Sequence, residues 1–507
     1  MPKSAVRAGD DLDSTPAWHD LREWMEQADR IGELRTVRGA SWQDDIGNVT
    51  ALLDSVEGSP AVVFDEIPEY QKGYRVLVNA NGSKRRQCLT LGIEPAGDLD
   101  SALLDFWRGV LVDLQPIPPR VINSAPFFEN SLEGDRVDLA SFPAPRWHPG
   151  DGGRYLATAN LTLLRDPETG VVNAGTYRGQ ILGPAELGIY CSPGHHGRLI
   201  IDKYAKRQEP CPVVSVVGVD PLLFVASCAE GIAFGQSELD WAAGIRKSAI
   251  DVVLGPKTGL PIPASSEIVL EGWIDPSELR DEGPYGEWHG YYSASGGRSQ
   301  VIKVEAIYHR DEPIITGCPQ GRPPHEDNYF LAYLKSVLAE TQLAAAGVPN
   351  VQAVWCPPEF GNRLMTIVSI EQKYPGHAMQ AGLVAGQLGS TAYGGRFVVI
   401  VDEDIDVHDL QAVRWAVATR MDPQRDAHVI TRSWSSSLDT AIAPGSHSLN
   451  SRLILDATRP WEQRSDFPTP IARQSPEAIR HKWQWLFEVP DGRSDSSSNH
   501  SAHGGAS

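Results

Sequence analysis

Apolar and polar positions divide the chain into three stretches of different rhythm. From Leu21 to Ile31 apolar residues recur at helical spacing, Ala61 to Phe64 and Val76 to Val78 are short apolar runs with β-branched character, and Ala102 to Leu114 returns to a helical pattern. Residues 1–115 are therefore expected to form an α/β domain. Proline-rich passages at Gln115 to Arg120 and Phe142 to Pro149 follow; proline fixes φ and lacks a ladder donor, so extended connections and a boundary are expected there. Residues 116–325 read mainly as strands. Val213 to Val219 and Leu222 to Ala226 are continuous apolar runs, and Val301 to Tyr308 alternates Ile302, Val304 and Ala306 with Lys303 and Glu305. Residues 326–490 are expected to be α/β again. Phe330 to Ala346 is rich in Leu and Ala and stops at Gly347, and Phe397 to Val401 reads as a strand. Asp406 and Asp409 can start a helix carrying Leu410, Val413, Val417 and Met421 on one face. Residues 491–507 offer almost nothing apolar to bury and are expected to be a disordered tail.

A length of 507 residues favours two to four domains. With Lys plus Arg at 45 and Asp plus Glu at 65, the net charge of −20 repels phosphate backbones and anionic lipid, which argues against nucleic-acid and membrane partners. A 41% hydrophobic share with 22% charged residues suits a folded, soluble protein. No apolar run approaches the about 18 residues of a membrane span, and the N-terminus lacks the apolar core of a secretory signal, so a cytoplasmic location is expected. The six cysteines are scattered without a C-x-x-C pair, which speaks against a disulfide framework or cysteine zinc site.

The Rossmann glycine fingerprint, the P-loop, H-E-x-x-H and G-x-S-x-G are absent. Four polar clusters remain. In Asn173-Ala-Gly-Thr-Tyr-Arg178 the small residues Gly175 and Thr176 leave backbone amides accessible between an amide and a guanidinium, although a strand end with a surface arginine reads the same way. Ser192-Pro-Gly-His-His-Gly197 delivers His195 and His196 just before a helical stretch, Leu199 to Arg207, a placement that suits a metal or phosphate. Glu238 opens a helix with Trp241 and Ile245, where capping alone can explain an acid. In Asp281-Glu-Gly-Pro-Tyr-Gly-Glu-Trp-His-Gly290 a stiff turn holds Glu282 and Glu287 against one site, as general acid–base work requires.

In order and spacing these clusters resemble the UbiD-type decarboxylases that depend on prenylated FMN. Leu270 to Gly272, Asn81 to Arg86, Gly321 to Pro324, Pro375 to His377, and Arg452 before Leu453 to Ala457 are similar to that family as well, so the resemblance spans roughly residues 20–485. It implies a mixed α/β architecture: an N-terminal α/β domain, a central split β-barrel that binds the flavin, and a C-terminal α/β domain that mediates oligomerisation. It also implies that Asn173, His196 and Glu238 bind Mn²⁺ or Mg²⁺, with K⁺ near Ala226 to Ala229. Two histidines stand where the family usually has one. Counting forward from Asn173 selects His196 as the ligand, and counting back from Pro212 selects His195, which is otherwise a cofactor contact. Gly175, Thr176, Arg178 and Arg452 are the further cofactor residues, Arg452 towards the flavin phosphate.

The activity implied is reversible, non-oxidative decarboxylation of an aromatic or heteroaromatic acid, with Glu287 as proton donor and Arg178 and Glu282 as its paired network. A cinnamate-like or polyunsaturated acid, a metal-dependent lyase without flavin, and a catalytically silent flavin-binding scaffold are the alternatives; the joint presence of Arg178, Glu282 and Glu287 argues against the last. A flavin prenyltransferase is the implied supplier, and a homodimer or higher homo-oligomer the implied assembly. Arg178 is expected to offer a bidentate fork to the substrate carboxylate. Arg322, His325, Glu326 and Asn328 are expected to bring polar groups to the pocket, favouring a ring that bears hydroxyl or N–H groups.

Overall fold

The computed structural model describes residues 15–292, 297–436, 438–442, 448–471, 479 and 481–486; the expected tail, 491–507, lies outside the described residues. The chain divides into two compact units, Met1–Thr458 and Arg459–Ser507, and the second contains the short 3-10 turns Trp461–Gln463 and Gln484–Leu486. The first holds the mixed α/β architecture and every site residue named above.

Its N-terminal region packs helices Leu21–Arg30, Asp45–Asp54, Lys84–Leu91 and Leu99–Asp113 around a four-stranded sheet. Three strands are local, Leu34–Arg38, Ala61–Asp65 and Arg75–Val78. The fourth, Ile314–Gly317, returns from far downstream to pair in parallel with Arg75–Val78. Ile314 and Ile315 are both buried, so closing this sheet also ties the N-terminal region to the end of the β-rich middle.

The middle is a nine-stranded sheet built around the long hairpin Ile268–Asp281 and Arg298–His309. Lys303 and Glu305 emerge from its second strand while Ile302, Val304 and Ala306 go inward, as the alternation requires. Cys211–Val217 pairs with Ile268–Asp281 and with Asn160–Arg165, which in turn pairs with Val172–Gly175. One strand expectation is overturned: Leu222 to Ala226 lies in the helix Pro221–Ser227. A wholly apolar run has no period to separate a buried helix from a buried strand. The choice is made by Asp220, whose side chain accepts from Leu223 N at 2.9 Å, and by Pro221 in the first turn.

The C-terminal region orders its five strands Val351–Trp355, Met365–Ile370, Phe397–Asp402, Leu449–Asp456, Ala427–Trp434, the middle three running parallel. Helix Leu410–Arg420 starts at Asp409, whose side chain accepts from Gln411 N and Ala412 N. The long helix begins four residues before the apolar run, at Glu326, and ends at Ala345. It buries Phe330, Leu331, Leu334 and Val337 in a core shared with Phe106, Trp107 and Val110 of the N-terminal region. This sharing brings the helix's polar first turn to the site.

Candidate active site

A cavity of about 580 Å³ is lined by residues from the central and C-terminal regions. Glu282 follows the strand Ile268–Asp281, and Glu287 lies in the turn beyond it. Backbone contacts pin that turn: Gly152 N donates to Pro284 O at 2.8 Å, Gly283 N to Gln180 Oε1 at 2.8 Å and Gly286 N to Asp151 Oδ1 at 3.2 Å. The approach leaves no room for a side chain at Gly152, where a Cβ would sit 1.9 Å from Gly283 O.

Arg178 stands between the two acids. Its Nε and Nη2 each donate to Glu282 at 2.9 Å, and Nη1 donates to Glu287 Oε1 at 2.5 Å. Tyr155 adds a hydroxyl to Glu282 Oε1 at 3.0 Å, and the guanidinium lies 4.6 Å and 4.9 Å from the ring centres of Tyr190 and Tyr285. Desolvation works against its charge, but the Glu282 hydrogen bonds and both carboxylates outweigh it and raise the arginine's pKa. The bidentate fork expected for a substrate carboxylate is therefore filled by Glu282. Glu287 lines the cavity, whereas the fully buried carboxylate of Glu282 lies behind Arg178.

Asn173, His196 and Glu238 meet on another wall. Asn173 Nδ2 and Ala174 N donate to the two Glu238 oxygens at 2.6 and 2.7 Å, and His196 Nδ1 lies 3.8 Å from Glu238 Oε1. His196 and Glu238 each open a helix, His196–Arg207 and Glu238–Arg246. The first helix begins three residues before the expected stretch. Gly175 and Gly197 admit the Tyr177 hydroxyl, which a Cβ at either would meet at 2.7 or 2.6 Å. No group of three His, Cys, Asp or Glu side chains converges among the described residues. The Asn173 amide, the His196 imidazole and the Glu238 carboxylate together are a set whose chemistry suits a hard divalent cation, once the Asn173 oxygen is turned towards it. Gly175, Thr176 and His195 line the same cavity.

Arg452 does not. It is buried in the C-terminal sheet, where Nη2 donates to the carbonyls of Ala392 and Trp434 at 2.8 and 2.5 Å. The C-terminal arginine that lines the cavity is Arg363, bound to Glu230 at 2.9 Å; Glu230 also holds the buried Lys335 at 2.9 Å. Nothing in Phe360-Gly-Asn-Arg-Leu364 marks that arginine in the sequence.

The expected polar set after Cys318 is likewise corrected. Arg322 is exposed, and His325, Glu326 and Asn328 are buried without lining the cavity; the helix turn presents Asp327 instead. Burial pushes Glu326 up to about 8 from 4.5 and the neighbouring Asp54 up to about 7 from 3.8. Between about pH 4.5 and 8 these two carboxyls therefore hold more protons in the folded protein than in the unfolded chain, and their contribution to stability falls as pH rises across that window. Calorimetric melting is expected at a lower temperature at pH 8 than at pH 5.5, with the difference reduced in Glu326→Gln.

With the geometry defined, comparison with known proteins assigns the class. Residues 25–103, 120–323 and 328–457 match the N-terminal, Rift-related and C-terminal domains of 3-octaprenyl-4-hydroxybenzoate carboxy-lyase. The chain belongs to this UbiD family of carboxy-lyases. It is 33% identical to a phenolic acid decarboxylase of Streptomyces sp. (strain D7) over 475 residues, 91% of this chain and 96% of the relative. Vanillic acid decarboxylase of Sedimentibacter hydroxybenzoicus in its closed form superposes with a TM-score of 0.79 at 28% identity, covering 93% of this chain and all of that one (100%). The UbiD-class enzyme HmfF of Pelotomaculum thermopropionicum in complex with FMN gives a TM-score of 0.81 at 26% identity, covering 92% and 99%. An evolved dimeric form of HmfF, in complex with prFMN, gives 0.76 at 25%, covering 91% and 98%. No helix among the described residues is long and apolar enough to cross a membrane.

Proposed function

We propose that this carboxy-lyase removes CO₂, reversibly and without net oxidation, from an aromatic or heteroaromatic acid with the help of prenylated FMN. The observation that carries the reading is the Glu282–Arg178–Glu287 network facing a cavity with aromatic walls. Besides Tyr190 and Tyr285, Trp288, Tyr393 and Trp434 line it, with ring centres 6.5 Å apart for the first pair and 6.0 Å for the second. Flat apolar faces of this kind suit a planar ring. The substrates named for the Streptomyces and Sedimentibacter relatives, and the flavins bound by HmfF, support the same reading.

Asn173, His196 and Glu238 would hold Mn²⁺ or Mg²⁺ through an amide oxygen, an imidazole nitrogen and a carboxylate, with Gly175, Thr176 and His195 as flavin contacts. K⁺ would be held near Ala226 to Ala229, a segment from which Ser227, Cys228 and Ala229 line the cavity. Prenylated FMN, made by a flavin prenyltransferase, supplies when bound the electron sink that an sp² carbon losing CO₂ lacks. The remaining work belongs to the chain. Glu287 carries the proton for the carbon that CO₂ leaves, Arg178 fixes that carboxyl, and Glu282 with Tyr155 fixes Arg178. The enzyme acts as a cytoplasmic homo-oligomer.

The test is the absorption spectrum of protein co-expressed with a flavin prenyltransferase, read beside CO₂ release from aromatic acids. Bound flavin with CO₂ release is expected; protein that binds no flavin and releases no CO₂ refutes the reading. His196→Ala is expected to lose bound metal and flavin more severely than His195→Ala, because His196 is the one of the pair that approaches Glu238, at 3.8 Å. Metal analysis of the purified variants checks the ranking, and the reverse order moves the ligand to His195.

A further inference from the structure

Asp327 lines the cavity outside the Arg178 and Glu238 clusters and outside the pairs that Glu230 makes with Arg363 and Lys335. It stands in the first turn of the helix Glu326–Ala345 with its residue only 7% exposed. His325 Nδ1 lies 2.5 Å from Oδ1, Asn328 Nδ2 donates to the same oxygen at 3.2 Å, and Gln320 Nε2 donates to Oδ2 at 3.1 Å. Burial works against its charge, yet the neighbouring His325, the field of Arg363 and the Gln320 hydrogen bond hold the carboxyl below its ordinary range. Each carboxylate oxygen has two acceptor sites. Oδ1 accepts from Asn328 with His325 Nδ1 against it, whereas Oδ2 receives one donor, from Gln320.

The surroundings decide what the second donor on Oδ2 is. His325 is fully buried and its pKa is raised, with the Asp327 carboxylate opposing the cost of desolvation, and Arg363 adds a further positive field. A cation here would have to give up its own hydration beside His325 and Arg363. A neutral O–H donor avoids that cost. The aromatic walls formed by Trp288 and Tyr393 line the same cavity and guide a flat ring.

Resting on the aromatic-acid reading above, we propose that Asp327 is the specificity-determining residue that reads a hydroxyl group on the substrate ring, the hydroxyl donating to Oδ2. His325 and Gln320 are its positioning residues. The subsite lies at the first turn of a C-terminal helix, apart from the Glu287 and Arg178 network on the central region. A hydroxyl in hydrogen bond with a carboxylate is stronger than a neutral pair, and about a tenfold preference is expected from it.

The experiment is titration calorimetry of the protein co-expressed with a flavin prenyltransferase, using benzoate, 3-hydroxybenzoate and 4-hydroxybenzoate, with CO₂ release followed in parallel. At least one hydroxybenzoate is expected to bind about tenfold more tightly than benzoate, and this ratio is expected to fall to about two or less in Asp327→Asn. In that variant the positive His325 claims the amide oxygen, so the charged acceptor is gone while the shape is kept. Equal binding of the three acids by the natural protein, no measurable binding of any, or a ratio that survives in Asp327→Asn overturns the subsite. The natural protein decides the question by itself if the variant does not fold. A hydroxyl preference that Asp327→Asn abolishes, without CO₂ release from any acid, supports the subsite while refuting the decarboxylase reading.

Discussion

Glu287→Gln is expected to lower CO₂ release by about 10²- to 10⁴-fold, the usual contribution of a general acid, while the flavin absorbance of the purified protein stays unchanged. The amide has the size of the carboxyl and still accepts from Arg178 Nη1, which reaches Glu287 at 2.5 Å, so the wall of the cavity keeps its shape. What it lacks is a transferable proton. Glu287 is 3% exposed, which leaves little room for bulk water to replace that proton. Undiminished turnover in this variant removes Glu287 from the mechanism, and loss of flavin together with activity assigns it to binding instead.

Arg178→Lys should be nearly as damaging and should also cost stability. The arginine makes three hydrogen bonds to two acids from a planar fork, and one of those acids, Glu282, has a side chain with no exposed surface. An ammonium is a point donor that cannot face both carboxylates with the same geometry. Removing one partner from a buried ionic pair costs about 3 kcal/mol or more, because the charge left behind is not resolvated. A urea-melt midpoint well below that of the natural protein is expected, and CO₂ release is expected to fall about 100-fold because Glu287 loses the donor that positions it. A variant with full turnover and an unchanged melt would show that the Glu282 and Glu287 carboxylates do not need the fork.

The glutamates, the arginine and the metal-ligand candidates were legible because each is marked within a few residues. Pro284 and the glycines around it stiffen the turn that carries Glu282 and Glu287, and a Pro-Gly turn precedes His195 and His196. Asp327 and Arg363 carry no comparable local mark. Asp327 stands beside Glu326, which is buried behind the cavity, and neighbours on a helix turn differ by about 100° in direction, so which of two adjacent acids faces the ligand depends on how the helix packs. Arg452 misled for the reverse reason. Its position before an apolar strand suggests a phosphate ligand, yet it is buried in the sheet, with Nη2 donating to the Ala392 and Trp434 carbonyls.

The chain's own pattern determined the amphipathic helices, the alternating strand Arg298–His309, the stiff acidic turn and the order of the family's motifs, because capping, periodicity and turn chemistry act over a few residues. Tertiary structure alone decided that Ile314–Gly317 completes the N-terminal sheet and that Arg178 spends its fork on Glu282. The same is true of the meeting of Asp327 and Arg363 with the central region at one cavity. These outcomes depend on which distant surfaces exclude water together and on which buried charges find partners there, and neither is a property of any short stretch of sequence.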